Sequence, residues 1–305
     1  MSMRVIFNML RVPNLLILAL TFLFLRYFVF LPVYSQYSML PMENLWYSIL
    51  IISTMLIAAA GYIANDYFDV ATDRINKPGK LYIGKQISAG SAFATTIFLS
   101  ALAAILAIML SIMMKSGLPA ILLLIALTVA WWYAVRLKKS FLWGNVAVSC
   151  MSAGTIAMAW LLEKQCSQLP DEASAKITSI IAAISSFAFL LSLLREIVKD
   201  IEDMEGDKLI NCKSLPLVKG IHFTMTILFL ISAITFILLV IAQLWLLNAG
   251  KIIAATWLLA AVEIPLVFFL TRLRKAAVKA DFHLLSSLLK WMMLGGILSI
   301  IAGQF

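Results

Sequence analysis

Residues 44–73 read NLWYSILIISTMLIAAAGYIANDYFDVATD. Through residue 64 no side chain is charged, and a helix that crosses a bilayer needs about 20 predominantly apolar residues. Three aspartates then follow in quick succession, Asp66, Asp69 and Asp73. An uncharged run of membrane length that ends in a block of carboxylates reads as a transmembrane helix meeting water at one membrane face. Outward from this stretch the same kind of run recurs along the chain. Apolar stretches lie at 12–33, 44–64, 89–113, 117–136, 141–162, 175–197, 221–245, 251–271 and 282–303. The expectation is an all-α polytopic membrane protein with nine transmembrane helices, forming one domain over residues 1–305.

Composition agrees. Hydrophobic residues make up 63% and charged residues 13%, against about 45–50% and about 25% in soluble chains. A secreted disulfide scaffold, a disordered chain and an ordinary soluble enzyme are excluded. Cys150, Cys166 and Cys212 are far apart and suggest neither a disulfide framework nor a zinc site. The N-terminal MSMRVIFNMLRVPN lacks a small-residue cleavage site, so no cleavable signal peptide is expected.

The net charge of +9 points to membrane topology and not to nucleic acid. Of the 24 Lys and Arg residues, only Lys115, Lys164, Lys176 and Lys251 lie in one set of loops, and only Arg26 and Lys290 lie inside spans. All the others fall at the N-terminus or after spans two, four, six and eight. Cytoplasmic loops carry the excess of Lys and Arg. This places the N-terminus and both acidic segments in the cytoplasm and the C-terminus outside a cell membrane.

The second acidic segment, EIVKDIEDMEGD at 196–207, follows the sixth span. Both segments contain Asp-x-x-Asp-x-x-x-Asp, at Asp66/Asp69/Asp73 and at Asp200/Asp203/Asp207. Spacings of three and four put these carboxylates on one helical face, where like charges repel. A divalent cation would compensate, and hard oxygen ligands suit Mg²⁺, which prefers a few carboxylates together with substrate phosphates. Arg74, Lys77 and Lys80 follow the first segment, and Arg195, Lys199, Lys208 and Lys213 surround the second. Acids and bases together point to Mg²⁺ with a phosphorylated ligand. The plainer reading is a pair of solvated charged loops, with Gly206 merely breaking a helix. The matching pattern four spans apart argues for an internal repeat whose acidic faces converge on one central cavity open to the cytoplasmic side.

Asn65-Asp66-x-x-Asp69-x-x-x-Asp73 with Ile75-Asn76-Lys77-Pro78 resembles the first motif of the UbiA-type intramembrane prenyltransferases, and Asp203-x-x-x-Asp207 resembles their second. Residues 133–145, YAVRLKKSFLWGN, are similar to the family's segment between spans four and five, and Arg11-Val-Pro-Asn14 to the start of its first span. The resemblance implies Mg²⁺-dependent condensation of an isoprenyl diphosphate with a lipid-soluble acceptor in the membrane. It implies Asp66, Asp69, Asp73, Asp203 and Asp207 as catalytic carboxylates, and these with Asp200 as metal ligands. The substrate-binding set is then Asn14, Asn65, Arg74, Lys77, Lys80, Lys138, Lys139, Asn145, Arg195, Lys199 and Asp200. Many members read N-R-P-x-R-P-I-P-S-G where this chain reads NKPGKLYIGK at 76–85, so two prolines and an arginine are missing from that loop.

Arg195 to Asp207 followed by Ser214-Leu-Pro-Leu is similar to the members that act on geranylgeranylglycerol phosphate, and partly resembles homogentisate and chlorophyll prenyltransferases. The favoured reaction is transfer of a geranylgeranyl-type chain to the hydroxyl of a prenylglycerol phosphate, in ether lipid synthesis. Lys138, Lys139, Lys199 and Lys213 are surplus cations for the acceptor's phosphate. The alternatives are prenylation of an aromatic quinone precursor such as homogentisate or hydroxybenzoate, and a cation or metabolite transporter. A CDP-alcohol phosphotransferase would carry interspersed glycines in a single Asp-rich motif, which this chain lacks. Arg26 is expected to snorkel to the outer face, and Trp131, Trp132 and Tyr133 to form an aromatic belt, at a span end that also borders the proposed site. Glu263 and Lys290 fit either a functional or a structural role. His222 and His283 need no catalytic role.

Overall fold

The computed structural model describes residues 3–76, 79, 81–166, 168–209 and 211–303. Nine helices among the described residues are long and apolar enough to cross a membrane: α1 (Val12–Gln36), α2 (Asn44–Phe68), α3 (Ala89–Met113), α4 (Leu118–Val135), α5 (Trp143–Gln165), α6 (Asp171–Glu202), α7 (Ile221–Asn248), α8 (Ile252–Leu273) and α9 (Lys279–Ala302). Each expected apolar stretch falls on one of them. α2 and α6 run beyond the apolar stretches, to Phe68 and Glu202, because the first turn of each acidic segment stays helical.

α1 and α8 each contain a π turn, at Arg26–Phe30 and Leu259–Glu263. Pro32 and Pro265 follow directly. Proline supplies no N–H and its ring crowds the preceding turn, so the ladder widens locally.

The helices close into a ring in which α2 packs on α1, α3 and α4, α4 on α5, and α5 on α6. α6 also packs on α7 and α9, and α9 returns to α1. One core joins side chains of α1 to α6, including Phe22, Phe30, Tyr47, Leu110 and Trp160. A second joins the other half of α6 to α7, α8 and α9 through Leu194, Leu228, Leu266, Phe269 and Leu289. Within lipid the apolar surface alone gives helices little reason to associate, and small residues permit close packing. Accordingly Ala103 and Ala107 are fully buried, and a Cβ on Gly61 would meet the Ala130 Cβ at 3.4 Å.

Arg26 does not snorkel. It is 4% exposed, and its guanidinium donates to the Met42 carbonyl and to Asn44 Oδ1 at 2.7 Å each. It lies 3.6 Å from the fully buried Glu163 of α5 and stacks 4.6 Å from the Tyr47 ring centroid. Glu163 Oε1 accepts from the Met42 backbone N–H at 2.8 Å. The buried partner holds the arginine inside and clasps the 37–43 loop to α1 and α5. Trp132 is exposed, whereas Trp131 donates its indole N–H to Ser100 Oγ of α3 at 3.0 Å. Glu263 is buried in the π turn of α8, and its Oε1 has no hydrogen-bond partner among the described residues.

Candidate active site

Both acidic segments are built by the same backbone event. α2 ends at Phe68, Asp69 takes φ −96° and ψ 3°, and a short helix Val70–Asn76 follows. α6 ends at Glu202, Asp203 takes φ −97° and ψ 4°, and a short helix Met204–Leu209 follows. The Asp69 N–H still donates to Asn65 O at 2.9 Å, and the Asp69 carbonyl accepts from the Asp73 N–H at 2.8 Å. The Asp203 N–H likewise reaches Lys199 O at 2.8 Å, and the Asp207 N–H reaches Asp203 O at 3.2 Å. The single helical face expected for each triplet is therefore bent at its middle aspartate, in the same way twice.

Basic residues stand on the first motif. Arg11, in the left-handed region at φ 49°, turns its guanidinium onto Asp66 Oδ1 at 2.8 Å and lies 4.8 Å from the Tyr62 ring centroid. Burial opposes the charge on Arg11, and Asp66 together with Tyr62 and Tyr133 outweighs it, holding the guanidinium above its ordinary pKa. Lys138 pairs with Asp69 Oδ1 at 2.5 Å. Lys138 is thus not a surplus cation, because the bend in the first motif brings Asp69 to it. Its loop can reach there because the second residue of α5 is a glycine: a Cβ on Gly144 would fall 2.8 Å from Leu137 O and 2.9 Å from Lys138 Cα.

Around the second motif, Asn145 of α5 donates to Asp200 Oδ2 at 2.8 Å. Arg195 pairs with its neighbour Glu196 at 2.7 Å. Tyr133 of α4 stands within electrostatic reach of Glu196, Asp200, Asp69 and Arg11, so the end of α4 borders this cluster, as its position in the sequence suggests. The Lys139 carbonyl accepts from the Lys213 N–H at 3.0 Å, tying the segment after α4 to the one after α6. His283 of α9 holds Glu202 at 2.8 Å. Lys290 reaches Asn14 Oδ1 at 3.2 Å, one turn from Arg11. Asp66 and Asp73 line a narrow cleft with Leu81, Tyr82 and Ile83. Arg74 lines an adjacent cavity of about 220 Å³ with Leu81, Ile83, Gly84 and Lys85. Lys77 and Lys80 lie outside the described residues.

Arg11, Asn76, Gly206 and Tyr133 were absent from the site residues inferred from sequence. Arg11, Asn76 and Tyr133 lie inside segments that carry the resemblance. Gly206 lies inside the second acidic motif, where its type alone reads as a helix break.

Among the described residues no three His, Cys, Asp or Glu side chains form a ready cation cage. The donor chemistry still fits Mg²⁺. The carboxylates are hard oxygen donors, and Asn65 Oδ1 and Thr72 Oγ1 are buried with no hydrogen-bond partner among the described residues. Mg²⁺ characteristically combines one or two carboxylates with substrate phosphates and water, so an open carboxylate set suits it.

Two matched carboxylate motifs flanked by basic residues thus lie at the ends of α2 and α6, in a bundle whose nine long apolar helices among the described residues mark a multi-pass membrane protein. Residues 15–294 match the model of the UbiA prenyltransferase family, and the chain belongs to that family. A protein of Sulfurisphaera tokodaii named digeranylgeranylglyceryl phosphate synthase is 30% identical over 243 residues, 80% of this chain and 78% of that one. A protein of the same name from Methanothermobacter thermautotrophicus is 32% identical over 180 residues; the match spans little more than half of each chain, 58% in both cases. Among solved structures, one described as a digeranylgeranylglyceryl phosphate synthase in membranes has a TM-score of 0.65 at 23% identity, covering 98% of this chain and 97% of that one. A UbiA homolog from Archaeoglobus fulgidus bound to GPP and Mg²⁺ has a TM-score of 0.61 at 15% identity, covering 97% and 99%. These structural likenesses establish the shared fold.

Proposed function

We propose that the protein transfers a geranylgeranyl-type group from its diphosphate to the free hydroxyl of a prenylglycerol phosphate, at the cytoplasmic face of a membrane, with Mg²⁺. The observation that carries the reading is the pair of matched acidic bends with Arg11 and Lys138 set against the first. Such an arrangement suits the stabilisation of a departing diphosphate more than passage of an ion. The names of the archaeal relatives support the glycerol phosphate acceptor.

Asp66, Asp69, Asp73, Asp203 and Asp207 would hold Mg²⁺, with Asp200 behind them on Asn145. When bound, the metal supplies Lewis-acid stabilisation of the leaving diphosphate. The chain's own residues do the remaining work. Arg11 and Lys138, already placed on Asp66 and Asp69, add positive charge beside the departing oxygens. The prenyl C–O bond breaks with both electrons leaving on the diphosphate. The acceptor hydroxyl then bonds to the allylic carbon and releases its proton to the anionic cluster. The surrounding helices exclude water that would otherwise trap the cation. Arg74, Lys139, Lys199 and Lys213 remain as candidates for the acceptor's phosphate.

Purified protein incubated with radiolabelled geranylgeranyl diphosphate and a panel of acceptors tests this. The expected product is the doubly etherified glycerol phosphate. Labelling of homogentisate or hydroxybenzoate with the glycerol phosphate ether untouched would overturn the acceptor. Absence of substrate-dependent diphosphate release would overturn the enzyme class.

A further inference from the structure

The Asn76 side chain spans the two acidic motifs. It ends the short helix that follows Asp69, and its Nδ2 donates to the Asp203 carbonyl at 3.0 Å. Its Oδ1 accepts from the Gly206 N–H, also at 3.0 Å. Both partners lie in the second motif, at its bend and in the turn after it. A primary amide offers a donor and an acceptor side by side, so it can grip a carbonyl and an N–H of one chain segment together. Gly206 is what lets it approach: a Cβ there would fall 2.5 Å from Asn76 Nδ2 and 2.7 Å from Oδ1. Such separations are below any normal contact, so either residue would have to move. Gly206 is buried and lies inside the helix Met204–Leu209, at a negative φ. It is there for the amide, not to break the helix.

We infer that Asn76 is a positioning residue that sets the distance between the two carboxylate motifs by clamping the second at Asp203 and Gly206. The consequence for catalysis rests on the prenyltransfer reading above; the clamp itself does not. Two half-sites contributed by helices four spans apart must stand at a fixed separation to share one diphosphate. The helices place them near each other, and the amide joins their ends directly. Loss of the clamp should leave each motif intact and loosen the pair.

The test has a structural arm and a kinetic arm. Spin labels at positions 71 and 209, both exposed on the two short helices, report the separation in a cysteine-free background. Asn76→Ala should broaden the distance distribution while the detergent-solubilised protein keeps its helical content. Gly206→Ala should do the same by expelling the amide. The double variant should be no worse than Asn76→Ala alone, because truncation removes the atoms with which the new methyl collides. Asn76→Asp keeps an acceptor for Gly206 but loses the donor to Asp203, and should fall between Asn76→Ala and the unaltered protein. In the kinetic arm, Asn76→Ala should raise the half-activating Mg²⁺ concentration and the donor KM roughly tenfold, as expected for losing two part-buried hydrogen bonds. Saturating Mg²⁺ and donor should restore most of kcat. Unchanged distance distributions in Asn76→Ala and Gly206→Ala would overturn the clamp. A broadened distribution with unaltered Mg²⁺ and donor dependence would overturn its catalytic role. Failure of the unaltered protein to release diphosphate would instead count against the reaction, and leave the distance result standing.

Discussion

Asp69 and Asp203 occupy the same break in two helices four spans apart, with φ of −96° and −97° and ψ of 3° and 4°. Each closes its long helix and starts a short one, and each accepts the N–H of the aspartate four residues on. The effect is to tip the last carboxylate of each triplet relative to the first two. The repeated spacing in the sequence is therefore a repeated piece of backbone geometry, and the two motifs are equivalent in their backbone.

From that equivalence, single losses on either side should be comparably severe. Replacing Asp66, Asp69, Asp203 or Asp207 by Ala should lower kcat by about 10²–10³-fold, the scale for removing one preorganised electrostatic contact at a developing charge. The proteins should still insert and fold, since each aspartate lies at a helix end and outside both cores. Activity should vanish in excess EDTA and return with Mg²⁺. Full turnover in EDTA would refute the metal requirement.

At the other end of the bundle the charges serve the fold. Arg26 lies 15 residues beyond Arg11 on α1, about 22 Å along the axis, so its loss should spare the chemistry. Removing one member of a buried pair strands the other and costs about 3–5 kcal/mol. Arg26→Met should thus markedly lower the unfolding temperature in detergent while kcat per folded molecule holds. Adding Glu163→Gln should recover part of the loss, because the amide removes the stranded charge and can still accept from Met42. If the double variant were less stable than Arg26→Met, the stranded charge would not be the cause.

The apolar runs made the nine spans legible, since span length follows from bilayer thickness. The two Asp triplets were legible for the same reason, as charge at span ends. What sequence hid was partnership. Arg26 reads as a snorkelling residue until Glu163, 137 residues later, is seen beside it. Lys138 reads as a spare cation until the bend at Asp69 brings them together. Gly206 reads as a helix breaker because the amide that needs its missing side chain lies 130 residues away. Periodicity reports which face a residue takes on its own helix, and carries no information about what another helix presents there.

Orientation across the membrane rests on the loop charges and can be tested with one thiol. Thr72 is buried in the structure, so a cysteine there would be a poor reporter; Ala71 is exposed on the same short helix. In a cysteine-free background, Ala71→Cys should react with a membrane-impermeant maleimide only after cells are opened. Labelling in intact cells would place the acidic motifs outside and reverse the topology.

The native Cys166 gives a prediction at the opposite end. It follows α5 directly, three residues from Glu163, and is half-buried against the first core. Burial pushes its thiol up to about 11, and the negative charges of Glu163 and Glu43 push the same way. Only the thiolate is nucleophilic, and an ordinary thiol, with a pKa of about 8.5, is almost fully ionised by about pH 10. Alkylation of Cys166 should therefore still be rising about tenfold per pH unit between roughly pH 8 and 10, where an ordinary thiol levels off. Glu163→Gln removes a charge that disfavours the thiolate, so the pKa should fall and the rate at pH 8 should rise several-fold. Rates are best measured by mass spectrometry in a variant lacking Cys150 and Cys212. A plateau below pH 10, or a rate at pH 8 indifferent to Glu163→Gln, would show that neither burial nor Glu163 governs this thiol.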